Sequence, residues 1–141
     1  MMIAEMTASP PREDHSSKMR VLIVEDNRDS AKSMAMLVRL LGYKAIVAFD
    51  GPTALAEFEA DPADVVLLDI GLPRMDGFEV ARRLRTHAVH KLPFIIAITG
   101  YGQDEDRRRS QEVGIDLHLL KPADPEELER MLSRLSGLVT A

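Results

Sequence analysis

The sequence predicts an α/β fold: a doubly wound parallel sheet of five strands alternating with five helices. Three observations carry the prediction. The runs Arg20–Val24, Val65–Leu68 and Phe94–Thr99 are almost continuously apolar and rich in β-branched residues, as strands buried on both faces are. Amphipathic segments with cap residues at their starts alternate with these runs. The chain's 141 residues are enough for one domain with a sizeable core.

The elements follow in order. Arg20–Val24 is the first strand and runs into Glu25-Asp26-Asn27. Asn27 is a suitable N-cap for a helix from about Arg28 to Leu41, stopped at Gly42. Ala31, Met34, Ala35, Val38 and Leu41 share its inner face. Lys44–Ala48 is the second strand. Asp50-Gly51-Pro52 opens a helix that buries Ala54, Leu55 and Phe58, with the proline suited to the first turn. Val65–Leu68 leads into Asp69, where Gly71 and Pro73 break the strand. A third helix from near Gly77 to Arg85 turns Val80 and Leu84 inward and Arg82, Arg83 and Arg85 mostly toward water. Pro93 introduces the fourth strand, Phe94–Thr99. Gln103–Glu112, closed by Gly114, is polar nearly all round and reads as a weakly packed helix able to shift. Leu117–Leu120 is the last strand. Asp124, Pro125 and Glu127 then start a helix with the stripe Leu128, Met131, Leu132, Leu135.

Right-handed crossovers favour the flavodoxin-like strand order 2-1-3-4-5. The domain is expected over residues 19–137, with a disordered N-terminal tail over 1–18, a short tail over 138–141 and no output domain of its own. The net charge of −5 argues against a general nucleic-acid binder. No apolar run approaches the ~18 residues of a membrane span, and the N-terminus lacks the apolar block of a signal peptide. Cysteine is absent, which removes disulfides and thiolate metal sites and fits the cytoplasm. His15, His87 and His90 show no ligand spacing and read as surface residues. Arg107, Arg108 and Arg109 are interleaved with acids and read as a solvated helix face.

In this strand order Glu25 and Asp26, Asp69, Thr99 and Lys121 all project from strand ends on one edge. One strand-end aspartate is most often a helix cap, and Glu25-Asp26 alone would be an acidic pair at a helix N-terminus. Four strands delivering polar groups to one edge point to chemistry. Three packed carboxylates repel unless one keeps a proton or a hard cation sits among them, and Mg²⁺ suits such donors. With Mg²⁺ present, Asp69 stays an anion able to attack phosphorus and form an aspartyl phosphate. Lys121 would neutralise charge on the transferring group, and the Thr99 hydroxyl would bond a phosphoryl oxygen that exists only after transfer.

Four motifs then carry a family resemblance: Val-Glu-Asp-Asn at 24–27, Leu-Asp-Ile-Gly-Leu-Pro-Arg-Met-Asp-Gly at 68–77, Ile-Thr-Gly-Tyr at 98–101 and Leu-Leu-Lys-Pro at 119–122. In order, each at a strand end, they resemble the receiver domain of two-component response regulators, of the single-domain type. The resemblance implies that Asp69 accepts phosphate from a histidine kinase or a histidine phosphotransfer protein. It implies that Asp26 and Asp69 ligate Mg²⁺ directly, that Glu25 acts through water, and that the Gly71 carbonyl completes the site. It also implies a cis Lys121–Pro122 peptide. Output would pass to a protein target through the fourth helix, last strand and last helix, and weak homodimers are compatible with that face. Receivers often place Tyr or Phe three residues before the lysine, as a switch; this chain has His118 there, either a switch or a partner-facing side chain. Tyr101 is positioned to cover the site and govern access of water to the phosphoryl group.

Two other readings compete. A Mg²⁺-dependent phosphohydrolase of the haloacid-dehalogenase type needs a second aspartate two residues after the first, and Gly71 stands there. Without that acid, turnover of stable esters is disfavoured, so a switch rather than a turnover enzyme is expected. A binding domain that never uses its aspartate is opposed by the intact set Asp26, Asp69, Thr99 and Lys121.

Overall fold

The computed structural model describes residues 18–72, 75–87, 92–100 and 104–140. Five strands and five helices alternate without exception along them. They are β1 (Arg20–Val24), α1 (Arg28–Leu40), β2 (Lys44–Ala48), α2 (Gly51–Ala60), β3 (Val65–Asp69), α3 (Gly77–His87), β4 (Phe94–Thr99), α4 (Asp104–Val113), β5 (Leu117–Leu120) and α5 (Pro125–Thr140). All strand pairs are parallel, in the order β2-β1-β3-β4-β5. That is the flavodoxin-like sheet the sequence predicts.

The apolar runs do what their composition demands. β3 is buried along its whole length, and β1 beyond Arg20, because helices cover both faces of the sheet. One core layer joins Leu22, Val24, Val66 and Leu68 to Phe58 of α2 and Val80 and Leu84 of α3. The other joins Val21, Ile23, Val65 and Leu67 to Val38 of α1 and to Leu128 and Leu132 of α5. Strand side chains alternate between these two layers with a period of two.

Helix starts follow the cap chemistry. Asn27 accepts from the Ser30 amide at 2.9 Å, Asp50 from Thr53 at 2.7 Å and Asp124 from Glu126 at 3.0 Å. Gly42, at φ +98°, takes the left-handed position that ends α1.

Three expectations change. Arg85 faces water only in part. Its guanidinium donates to the Gly114 carbonyl at 2.7 and 3.0 Å and reaches both oxygens of Asp116 at 3.2 Å, pinning α3 to the turn before β5. Arg109 does more than line a solvated face: it stacks 4.1 Å over the Phe78 ring and lies 3.7 Å from Asp76, tying α4 to the start of α3. And residues 138–140 continue α5, where Val139 packs against the core. Gly137 therefore lies inside a helix, with nothing among the described residues within 4 Å of a Cβ built on it. Gly137→Ala is expected to stabilise the fold by roughly 0.5–1 kcal/mol. A lower urea midpoint for this variant would show that the last turn is not helical in solution.

Residues 1–17 of the expected N-terminal tail lie outside the described residues, as do His15, His90 and Tyr101. Among the described residues no helix is long and apolar enough to cross a membrane.

Candidate functional site

Strand register decides which side chains meet. Val24 is level with Leu68, so Glu25, one residue on, stands beside Asp69. Asp69 is level with Ile98, and Thr99 with Leu120. The ends of β1, β3, β4 and β5 thus reach one edge of the sheet together.

Three carboxylates gather there. Ligand oxygens of Glu25, Asp26 and Asp69 all lie within 4.8 Å of one another. Glu25 and Asp69 are 4% and 3% exposed, while Asp26 is open to solvent. That combination gives two fixed acids and one accessible one. Asp69 Oδ1 takes the Lys121 ammonium at 3.1 Å and the Gly71 amide at 2.9 Å. Glu25 Oε2 accepts the Asn27 amide at 3.0 Å. The Lys121–Pro122 peptide is cis.

Electrostatics follow from this crowding. Burial pushes the Glu25 carboxyl up to about 7, and the Asp69 charge pushes the same way; the Asn27 amide and Lys121 oppose them. One proton or one cation is therefore wanted in the cluster. An all-oxygen, hard donor set of this kind suits Mg²⁺ rather than a soft metal.

The sign of the pH effect is clear in metal-free protein. Glu25 holds its proton up to about pH 7 when folded but only to its ordinary value of 4.5 when unfolded. Its contribution to stability is present below pH 4.5 and is lost as pH rises through 7. Added Mg²⁺ is therefore expected to raise the melting temperature more at pH 8 than at pH 6, and Glu25→Gln to flatten the difference. Scanning calorimetry showing equal gains at both pH values would separate Mg²⁺ from this cluster.

The other expected residues are less closely drawn in. Thr99 is buried at the end of β4, and its carbonyl accepts the Lys121 amide at 2.8 Å. Its side chain is not among those lining the cleft beside Asp69. His118 is half-buried in β5, level with Ala97, and is set back from the cleft as well. Tyr101, the expected cover, falls outside the described residues.

The cleft itself was not foreseen. It has a volume of about 890 Å³ and runs from the carboxylates between α1 and the start of α5. Ser30, Ser33, Met34 and Leu37 form one wall; Pro122 and Leu128 lie opposite. Ser30, Ser33 and Leu37 recur at helical spacing just after Asp26, and that spacing was the available signal.

Comparison with known proteins gives a consistent picture. The sequence profile of the response regulator receiver domain matches residues 21–133. Sensory transduction protein RegX3 of Mycolicibacterium smegmatis is 43% identical over 108 residues, which is 77% of this chain and 46% of RegX3. The gliding motility regulatory protein of Myxococcus xanthus is 34% identical over 86% of this chain and 16% of its own length. The chain thus spans less than half the length of these relatives. Among solved structures, chemotaxis protein CheY4 of Vibrio cholerae superimposes with a TM-score of 0.80 at 30% identity, covering 84% of this chain and 98% of CheY4.

Proposed function

The chain belongs to the response regulator receiver domain family, whose members are phosphorylation-dependent signalling switches, and on that premise we propose that Asp69 is its phosphoacceptor. The observation that carries this reading is the buried Asp69 carboxylate, held between Lys121 and Gly71 with two further carboxylates beside it.

The donor is a phosphohistidine on a histidine kinase or a histidine phosphotransfer protein. The cleft between α1 and α5 suits its approach, because apolar Met34, Leu37 and Leu128 flank the path to Asp69. An Asp69 carboxylate oxygen forms the new O–P bond as the P–N bond to the donor imidazole breaks. The electron pair leaves with that nitrogen. A carboxylate nucleophile attacks without a separate general base. Lys121, resting on Oδ1 at 3.1 Å, is 41% exposed and can follow the charge onto the phosphoryl oxygens. Glu25, Asp26, Asp69 and the Gly71 carbonyl would hold Mg²⁺. Bound there, the ion supplies positive charge to the dispersed charge of the transferring group.

After transfer the Thr99 hydroxyl donates to a phosphoryl oxygen. That draws the end of β4 inward and disturbs β5 beside it, with His118 as the side chain positioned to respond. Output passes through the α4–β5–α5 face, where Leu120 stands 56% exposed for a downstream protein or a weakly bound second copy. A cytoplasmic setting, where kinase and receiver can meet, accords with this role.

Intact mass after incubation with a small acyl phosphate tests the reading. One added phosphoryl group, seen with Mg²⁺ and lost with EDTA, is the expected result. No gain under rapid acid quench would overturn it.

A further inference from the structure

A second cleft lies at the opposite end of the sheet, where β1 and β2 begin and α1 ends. Its volume is about 560 Å³, within the range of small-molecule sites. Lys18, Arg20, Arg39 and Lys44 line it, and Asp61 is the one carboxylate among its described lining residues. In a chain of net charge −5, this is a local reversal of sign, and a concave wall concentrates its field.

The cations are only partly used by the protein. Arg20 pairs with Asp61 through one Nη, yet its buried Nε has no hydrogen-bond partner among the described residues. Arg39 spends one Nη donor on the carbonyl of Ala45 at 2.9 Å, and a guanidinium has five donors. Lys18 and Lys44 have no ion-pair partner among the described residues. Like charges gathered without enough acid repel one another, a cost that an anionic ligand would remove. Tyr43 lines the same cleft and is half-buried against the core, so its ring is held in place and gives a planar group a surface to stack on.

We propose that this cleft binds a small phosphorylated ligand with a planar ring, of the nucleoside diphosphate class. The phosphates sit among Lys44, Arg39 and Lys18, and the ring lies on Tyr43. Because the site is at the far end of the strands from Asp69, it is independent of phosphoryl transfer.

The test is a titration of the full chain with ADP in EDTA, followed by backbone amide NMR. EDTA prevents the carboxylate cluster from capturing the nucleotide through a metal. Saturable shifts are expected at residues 18–20 and 42–46. Lys44→Glu should weaken ADP about tenfold while leaving the rest of the spectrum in place. Tyr43→Leu should weaken ADP but not pyrophosphate. Absence of saturable shifts up to about 5 mM ADP, or equal affinity in Lys44→Glu, would overturn the proposal. Equal binding of ADP and pyrophosphate, unchanged in Tyr43→Leu, would overturn the assignment of the ring.

Discussion

Asp69→Asn is expected to abolish phosphoryl uptake while leaving the fold intact. The amide is nearly isosteric, and its Oδ1 can still accept the Gly71 amide now 2.9 Å away. What disappears is the anion: a neutral amide oxygen is a poor nucleophile toward phosphorus. The Lys121–Asp69 contact also loses its ion pair, and Glu25 loses the neighbour that helps raise its titration. Mass spectrometry with an acyl phosphate and Mg²⁺ should therefore show no added group over a time in which the wild type is fully modified. A variant that still gains one group would move the acceptor to Glu25 or Asp26, the carboxylates within 4.8 Å.

Gly77→Ala is expected to be the most damaging small change to the scaffold. A Cβ at this position would stand 2.7 Å from Ile70 Cα and 2.9 Å from the Asp69 carbonyl oxygen. Those atoms are backbone and cannot swing aside as a side chain would. The Gly77 amide also donates to the Ile70 carbonyl at 3.1 Å, so the start of α3 is clasped to the residue after the acceptor. Relief must come from moving α3 or the end of β3, at roughly 1–3 kcal/mol or more. Because the moving atoms belong to Asp69 and Ile70, slower phosphoryl uptake should accompany the lost stability. Gly71→Ala is the control: among the described residues its Cβ would meet only Asp69 Oδ1, at an ordinary 3.7 Å. Urea denaturation of both variants, read beside uptake rate, separates the two. If Gly77→Ala were as stable as Gly71→Ala, the close packing between α3 and β3 would be wrong.

The α4 segment connects to the same place. Arg109 reaches Asp76 and Phe78, the residues on either side of Gly77. The strongly polar α4 is thus tied to α3 through Arg109, and Val113 at its end packs against the core.

Much of this protein was determined by its sequence alone. Continuous apolar runs at Val21–Val24 and Val65–Leu68 required strands covered on both faces, and Asn27, Asp50 and Asp124 marked where helices start. Local hydrogen-bonding chemistry and hydrophobic period act over a few residues, so they can be read from neighbours in the chain. The meeting of Glu25, Asp26, Asp69 and Lys121 was legible too, because a parallel sheet brings all strand ends to one edge. Tertiary structure decided the rest. Periodicity pointed Arg85 to water, but its long side chain finds the Gly114 carbonyl, 29 residues away, through a contact no local pattern encodes. Residues 138–140 read as a tail, yet they continue α5, and Val139 packs against the core. The proton affinity of Glu25, the α1–α5 cleft and the basic cleft around Tyr43 likewise arise only when separate elements close on one another. Burial and charge at such places depend on which surfaces pack together, and that is a property of the folded chain.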